Sequence, residues 1–366
     1  MTDNRLYSTR EAAAYLGLKE ETVKYHVYVS SSLHPERVGS SLVFTEEELE
    51  RFKRDRRPAH RPPKDAAVHE PAMQPYLFPG YALDRPVNVA SVPQRSPFRY
   101  PGGKTWLIPH VRRWLHSLPA PPAELVEPFA GGAIVGLTAA MEGLADHVTL
   151  VEIDEQVAAV WETILADPDG AGWLARRILS FDLTHDSMRA TLDGIAPSTR
   201  ERAFQAILRN RVYRGGILAP GAAPVKNGEN GRGIHSRWYP ATLARRITEI
   251  AGVRARITFL QADGFDLIER FLDRADAAFF IDPPYTASKK RAGSRLYRYH
   301  EVDHARLFRL AAQTAGDFLM TYDQADEIEV LAAEHGLRTA RIPMTTTHHV
   351  TTHELLVGRD LAWLTA

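Results

Sequence analysis

The sequence contains no cysteine among its 366 residues, which excludes disulfides, thiolate metal sites and a cysteine nucleophile. It also lacks a long apolar run, since no uncharged segment approaches the roughly 18 residues that a membrane-spanning helix needs. The first residues, MTDNRLYSTREAAAYL, do not contain the apolar core of a signal peptide. We therefore expect a cytoplasmic protein that does not enter a membrane.

Net charge is absent as well, because 45 basic residues balance 45 acidic ones. Any surface that binds nucleic acid must then come from local clusters of charge. Three basic clusters are present: RFKRDRRPAHRPPK at 51–64, LRNRVYRGG at 208–216 and KKRAGSRLYRYH at 289–300. A charge run is usually a solvated face, so these clusters alone indicate no function.

Residues 1–57 have the pattern of a small DNA-binding module. Ser8 and Glu11 have the spacing of a capping box for a helix, TREAAAYLGL, that ends at Gly17. A second helical pattern, KEETVKYHVYV, precedes a hairpin, ERVGSSLVF, and a third helix that Thr45 and Glu48 would cap. This order predicts a winged helix-turn-helix domain, and a small protein-binding domain is the alternative.

Residues 58–95 are rich in proline, histidine and arginine and have few periodic apolar positions. This composition predicts an extended linker. From residue 96 to 366, short apolar runs alternate with helical patterns, and only residues 165–255 interrupt the rhythm, as an inserted subdomain would. The strands predicted in this region lie at 124–127, 147–152, 256–261, 277–282, 318–322 and 353–358.

Alternation of strands and helices predicts an α/β fold with a mainly parallel, Rossmann-like sheet. Ligands of such sheets bind at the carboxyl ends of the strands. The candidate site residues are therefore sought where each predicted strand ends.

A glycine-rich turn, PFAGGAIVG, follows the first of these strands. Gly131, Ala133 and Gly136 have the spacing G-x-A-x-x-G, and small residues there let the backbone approach a ligand closely. Glu152 ends the next strand 21 residues after Gly131, with Asp154 just beyond it. A carboxylate at that place can bind both hydroxyls of a ribose. The pattern indicates a nucleoside cofactor, although dehydrogenases and methyltransferases share it and a purely structural turn is the alternative.

A second glycine turn, FRYPGGK at 98–104, precedes the first strand and carries Tyr100 and Lys104. A dehydrogenase needs no such element at this place. The segment therefore favours a methyltransferase over a dehydrogenase.

Asp282-Pro283-Pro284-Tyr285 follows the apolar strand AAFFI and indicates the chemistry. The exocyclic amine of adenine is a poor nucleophile, because its lone pair is delocalised into the ring. The Asp282 carboxylate and the Pro283 carbonyl can accept its two N–H groups, since prolines remove competing donors from this turn. Tyr285 offers a flat face on which an extruded base can stack. No metal is required.

Together these motifs resemble the DNA adenine methylase (Dam) family, the D12 class of N6-adenine-specific DNA methyltransferases. The resemblance covers residues 96–366, with FRYPGGK, EPFAGGAIV, VEID, ADGF and IDPPY in the order of the family. It implies site-specific transfer of a methyl group from S-adenosyl-L-methionine to the N6 amine of a flipped adenine in duplex DNA. The cofactor-binding residues that it implies are Tyr100, Gly103, Lys104, Phe129, Gly131, Ala133, Glu152, Asp154, Asp263, Phe265 and Asp282.

The sequence departs from the family at three places. Ala133 stands where many members have glycine, and Glu152 replaces a common aspartate. The insertion reads RNRVYRGG where many members carry an asparagine-glycine pair, so the target sequence of the family cannot be carried over.

DNA contacts are predicted in three segments. Residues 1–57 resemble the excisionase/MerR-like helix-turn-helix family, which implies that the second helix enters the major groove. The insertion could contact phosphates or bases, and the basic segment after Tyr285 would suit the backbone of an extruded nucleotide. The predicted contacts are Lys19, Thr22, Lys24, Tyr25, Arg209, Asn210, Arg211, Tyr213, Arg214, Lys289, Lys290 and Arg291.

Other functions remain open on the sequence alone. A catalytically idle regulator that senses the cofactor, methylation of RNA adenine and methylation of cytosine N4 would each use much of the same pattern. We expect a monomer acting on double-stranded DNA, with a restriction endonuclease as a further partner.

Overall fold

The structure is a computed structural model of the chain. It describes residues 6–18, 20, 23, 33–38, 41–55, 86–99, 102–228, 231–284, 298–299, 301–345 and 351–365. The chain divides into two compact units, Met1–Leu77 and Phe78–Ala366. No helix in the described part of the chain is long and apolar enough to cross a membrane.

The first unit contains a three-stranded antiparallel sheet and two described helices. Its core is formed by Ala12 and Leu16 of the first helix, Phe44 of the sheet and Leu49 and Phe52 of the last helix. The sheet order is β1-β3-β2. The elements are β1 (Leu6–Ser8), α1 (Thr9–Leu16), β2 (Glu36–Val38), β3 (Ser41–Thr45) and α2 (Glu46–Asp55).

The predicted start and end of α1 are confirmed. Ser8 and Glu11 form a reciprocal capping box, and Gly17 ends the helix in the left-handed conformation with a φ of 63°. The hairpin of β2 and β3 is also confirmed, and the Glu48 N–H donates to Thr45 Oγ1 at 3.3 Å. Strand β1, which pairs with β3, was not predicted.

The second helix of the predicted helix-turn-helix motif lies largely outside the described residues. So do the four positions that were predicted to contact DNA there, which are Lys19, Thr22, Lys24 and Tyr25. Their DNA contact stays a prediction.

The second unit is built on a seven-stranded sheet. β4 lies near the middle of the sheet. β5 and then β6 follow on one side of it, and β7 and then β8 follow on the other, and these five strands are parallel. β9 and β10 complete the sheet in antiparallel pairing, so its order is β6-β5-β4-β7-β8-β10-β9. The strands are β4 (Glu124–Glu127), β5 (His147–Glu152), β6 (Ile257–Gln261), β7 (Ala277–Ile281), β8 (Asp317–Asp323), β9 (Arg338–Thr345) and β10 (Thr351–Gly358).

Helices connect the parallel strands, which confirms the predicted α/β class with a Rossmann-like, mainly parallel sheet. Four of the described helices between β5 and β6 lie within residues 165–255 and confirm that the insertion is helical. The helices of this unit are α3 (Ile108–Ser117), α4 (Ile134–Glu142), α5 (Glu155–Trp161), α6 (Gly170–Leu179), α7 (His185–Asp193), α8 (Thr199–Val212), α9 (Pro240–Gly252), α10 (Gly264–Arg270), α11 (His304–Gln313) and α12 (Asp326–Glu334).

The end of the predicted linker belongs to the second unit. Val87 and Val92 are buried in its core, and Arg95 forms an ion pair with Glu142 at 2.6 Å. The apolar positions in this stretch are too few for a helical or strand pattern, so the sequence did not mark them as core. This unit therefore begins before residue 96, where the boundary was predicted.

The strand order reverses between β4 and β7, which are neighbours in the sheet. A crevice opens at the carboxyl ends of the strands at such a switch point, because the helices that follow the two strands lie on opposite faces. The fold thus brings the ends of β4, β5, β6 and β7 to one place.

Candidate active site

The turn between β4 and α4 approaches the cavity with its backbone. Gly131 has a φ of 46° and Ala133 a φ of 51°, both in the left-handed region. Glycine adopts this region freely, whereas alanine does so at a cost. The Trp161 Nε1–H donates to the Gly131 carbonyl at 3.0 Å, and the Ala130 N–H donates to the Val151 carbonyl at 2.8 Å. These bonds tie the turn to β5 and α5.

Glu152, at the end of β5, is held by the same turn. Its Oε2 accepts the Gly131 N–H at 2.9 Å and its Oε1 accepts the Asp154 N–H at 2.9 Å. Burial raises the pKa of the Glu152 carboxyl to about 7, against a usual value of 4.5, although these backbone donors act in the other direction. The carboxylate is thus oriented before any ligand binds.

Two further carboxylates border the cavity at the starts of helices. Asp154 caps α5 by accepting the Gln156 N–H at 2.8 Å, and burial raises its pKa. Asp263 caps α10 by accepting the Phe265 N–H at 2.9 Å. Phe265 packs edge-to-face on Phe129, with 6.0 Å between the ring centroids. Such a pair offers apolar walls beside a hydrogen-bonding edge, which suits a purine.

Lys104 lies between two carboxylates that are far apart in the sequence. Its side chain is only 3% exposed, and Nζ is 2.9 Å from Asp282 Oδ1 and 3.0 Å from Glu354 Oε1. Nζ also donates to the Gly102 carbonyl at 2.7 Å. The ammonium group therefore joins the FRYPGGK turn, the end of β7 and β10 into one network.

β8 completes the surroundings of Asp282. The Thr321 hydroxyl donates to Asp282 Oδ1 at 2.8 Å. The next residue, Tyr322, is buried, and burial and the charge of Asp282 raise its pKa well above 10. Lys104 and Thr321 thus hold the Asp282 carboxylate in a defined orientation at the strand end.

Glu127 ends β4 beneath the glycine turn and is fully enclosed. Its Oε2 accepts the Gly136 N–H at 2.8 Å. Burial, with a smaller contribution from Asp282, raises the pKa of its carboxyl to about 8. Glu127 is therefore mainly protonated at neutral pH and contributes little negative charge to the site.

These groups border one cavity of about 1030 Å³. Its volume is at the upper end of the roughly 300–1,000 Å³ that is usual for small-molecule sites. Among the predicted cofactor-binding residues, those that line this cavity are Gly103, Lys104, Phe129, Gly131, Ala133, Glu152, Asp154, Asp263, Phe265 and Asp282. The structure therefore brings together residues that span 180 positions of the sequence, from Gly103 to Asp282.

Several predicted residues lie outside the described part of the chain. Tyr100 and Tyr285 are among them, and so are the basic residues Lys289, Lys290 and Arg291. Pro284 lines the cavity and Pro283 is buried beside it.

Two residues of the insertion are not on its surface. Asn210 is fully buried, and its amide bonds to the backbone of Arg99 and Gly216. The prediction that Asn210 contacts DNA is corrected by this burial, because its polar atoms are used inside the protein. Arg211 is 5% exposed and lines the cavity, so it does not lie on an outer DNA-binding face.

The remaining insertion residues are more accessible. Arg214 is exposed and Tyr213 is half-buried. Arg209 is half-buried and donates to Gln156 Oε1 at 2.5 Å. Their contact with DNA stays a prediction.

The motifs missed several residues of the site. Glu127, Thr321 and Glu354 are buried polar groups at the ends or middles of strands, where an apolar residue is the common choice. That polarity within an apolar strand pattern is the signal that could have identified them.

No protein-family model matches the sequence, and no curated protein matches it. The chain is weakly similar in structure to an rRNA methyltransferase from Streptomyces viridochromogenes, with 17% identity, 71% of this chain and 86% of that chain covered and a TM-score of 0.32. It is similarly related to an rRNA methylase from Streptococcus thermophilus, with 11% identity, 69% and 96% covered and a TM-score of 0.30. Spermidine synthase from Thermotoga maritima gives 10% identity, 71% and 59% covered and a TM-score of 0.30. The strand order of the seven-stranded sheet defines the fold.

Proposed function

We propose that this protein is a DNA methyltransferase that transfers a methyl group from S-adenosyl-L-methionine to the N6 amine of adenine. The observation that carries the proposal is the Asp282-Pro283-Pro284 strand end, which lies on the same cavity as the glycine turn and its carboxylates. A dehydrogenase has no use for an acceptor-rich turn at that strand.

The residues present fit the proposed cofactor. Glu152 lies at the end of the second parallel strand, where a carboxylate accepts the hydroxyls of a ribose. Phe129, Phe265 and Asp263 supply two aromatic walls and a polar edge for an adenine ring. When bound, the cofactor supplies an electrophilic methyl group on a positively charged sulfur.

Asp282 and Pro283 act on the target base. Asp282 is oriented by Lys104 and Thr321, and its carboxylate accepts one N–H of the exocyclic amine while the Pro283 carbonyl accepts the other. These bonds reduce delocalisation of the nitrogen lone pair, which forms the new N–C bond as the methyl–sulfur bond breaks. The nitrogen then loses a proton to the Asp282 carboxylate, which already accepts that N–H. The base must leave the duplex, since a stacked amine cannot reach a strand end.

The choice of DNA over RNA rests on the first unit. Its capped helix and hairpin agree with the predicted winged helix-turn-helix order, and such modules bind duplex DNA. A cognate endonuclease and a monomeric state are part of the same proposal.

Purified protein incubated with labelled cofactor and mixed-sequence duplex DNA tests the proposal. We expect N6-methyladenine in one short sequence context, located by direct sequencing. Label in RNA, or label on cytosine N4, would assign a different substrate, and cofactor binding without transfer would indicate a regulator.

The substitution Asp282→Ala tests the mechanism. We expect methyl transfer to fall below detection while binding of the cofactor stays measurable by calorimetry. Asp276→Ala, at an exposed carboxylate before β7, is the matched control and should leave transfer intact. Full activity in Asp282→Ala would contradict the mechanism.

A further inference from the structure

Four arginines line the same cavity and are not among the predicted cofactor-binding residues. Arg99 lies in the FRYPGGK segment and Arg211 in α8. Arg237 ends a short 3-10 turn, Gly233–Arg237, and Arg246 is in α9. They are called the arginine wall below. Arg298 also lines the cavity but is paired with Glu155.

The arginine wall concentrates positive charge in a buried place. Burial and the charges of Arg246, Arg99 and Arg237 lower the pKa of Arg211 to about 9. Burial and the charge of Arg237 lower the pKa of Arg99 as well. Grouped, partly desolvated cations destabilise one another unless an anion binds among them.

In the described part of the chain, the hydrogen bonds of Arg211 and Arg246 go to neutral acceptors. Arg211 Nη2 donates to the Pro97 carbonyl and Arg246 Nη1 donates to the Ser96 carbonyl at 3.0 Å, and neither acceptor carries a charge. The Nε atoms of Arg211 and Arg246 are buried without a hydrogen-bond partner among the described residues. Within the same described ranges, no carboxylate forms an ion pair with Arg99, Arg211 or Arg246.

The side chain of Asn210 fixes the backbone position of Arg99. Its Oδ1 accepts the Arg99 N–H at 2.8 Å, and its Nδ2 donates to the Arg99 carbonyl at 3.0 Å and to the Gly216 carbonyl at 2.7 Å. A Cβ on Gly216 would lie 2.2 Å from the Arg99 carbonyl oxygen. A buried amide and a close glycine thus fix the backbone from which Arg99 extends.

We propose that the arginine wall is a phosphate-binding subsite that holds a phosphodiester next to the target nucleotide. Guanidinium groups suit this ligand because their planar N–H groups match phosphate oxygens in pairs. The inference rests on the proposed function for the identity of the phosphate, since a free phosphate compound shares the same chemistry. The subsite would draw the strand into the cavity after the base has left the stack.

Inorganic pyrophosphate is the probe for the subsite itself. We expect it to raise the melting temperature of the full-length protein in a saturable manner, and Arg246→Gln and Arg99→Gln each to weaken its binding about tenfold or more, because a charged hydrogen bond is worth about 1.5–3 kcal/mol. Arg245→Gln is the matched control, since Arg245 neighbours Arg246 on α9 but is paired with Glu249 and does not line the cavity. Equal pyrophosphate binding by all four proteins overturns the proposal.

Duplex DNA is the second probe and identifies the source of the phosphate. The affinity should fall with salt, and Arg246→Gln should lower the slope of log K against log salt by about 1 relative to wild type. Loss of pyrophosphate binding with an unchanged DNA slope would overturn the phosphodiester assignment in favour of a free phosphate. Selective pyrophosphate binding without methylation of DNA would preserve the subsite and reject the proposed function, so the two failures are distinct.

Discussion

The side chain of Lys104 is enclosed between Asp282 and Glu354, where an ammonium group is stabilised only by its partners. Removing one member of a buried charged group leaves the others uncompensated, which costs about 3–5 kcal/mol. Lys104→Met should therefore lower the free energy of unfolding by roughly that amount in urea titrations. Lys53→Met should change it by about 0–1 kcal/mol, because the Lys53–Glu50 pair is exposed. Equal effects of the two substitutions would contradict the role given to burial.

Glu127 should make stability depend on pH. Its folded pKa is about 8 against a usual value of 4.5, so the folded state keeps a proton that the unfolded chain has released. The free energy of unfolding is then highest below pH 4.5 and falls as the pH rises through about 8, by up to about 1.4 kcal/mol per pH unit. Glu127→Gln should flatten this fall, since its amide oxygen can still accept the Gly136 N–H.

Urea unfolding between about pH 5 and about pH 8 measures this effect. Glu329→Gln, at a partly exposed carboxylate of α12 that pairs with Arg341, is the control and should retain the slope of the wild type. A slope that Glu127→Gln leaves unchanged would show that the carboxyl is ionised in the folded protein.

At the scale of single residues, the sequence predicted the site residues that belong to motifs. It missed the residues that hold those side chains in place. Lys104, Glu152 and Asp282 were identified because they stand at fixed places in recognisable segments. Glu354 was not, since its contact with Lys104 spans 250 positions and follows from the antiparallel return of β10. The prediction that Asn210 contacts DNA was wrong because a polar residue in a basic helix is usually exposed, and the sequence does not show which residues surround it in space.

At the scale of elements, the turns after β4 and β6 meet closely at the cavity. A Cβ on Gly264 would lie 2.2 Å from the Pro128 carbonyl oxygen, so a side chain there must push two backbones apart. Gly264→Ala should lower the free energy of unfolding by about 1–3 kcal/mol and weaken cofactor binding. Gly252→Ala is the matched control, because nothing lies within 4 Å of its added Cβ.

Thermal melts and cofactor titrations of both variants check this expectation. A Gly264→Ala protein with the stability and affinity of Gly252→Ala would mean that the two turns are not held together.

The buried parallel strands were predicted from their continuous apolar runs, whereas β9 was missed. Its sequence, RTARIPMT, mixes polar and apolar residues and contains Pro343. An edge strand pairs on one side only, so it tolerates proline and needs no unbroken apolar pattern. The edge strand β6 was predicted because its sequence, ITFLQ, keeps an apolar run that β9 lacks.

At the scale of the whole molecule, the chain forms two units with separate cores, and we propose that the first contributes to DNA binding. Deleting residues 1–57 should weaken DNA affinity and flatten its salt dependence by about 1 in slope per lost phosphate contact, while single-turnover methyl transfer at saturating DNA is retained. Binding assays across a salt series check the first part and labelled transfer checks the second. Unchanged affinity and slope would show that the first unit is not a DNA clamp.

The network around Lys104 also bears on how the enzyme would turn over. One ammonium between Asp282 and Glu354 leaves an excess negative charge of one at the strand end where the methyl group would be transferred from the positively charged sulfur. The cofactor is attracted by that charge before transfer, and the neutral thioether left afterwards is not. Under the proposed function, the network of Lys104, Asp282 and Glu354 would therefore bind the demethylated cofactor more weakly than the methylated one. Inhibition by this product would then be limited.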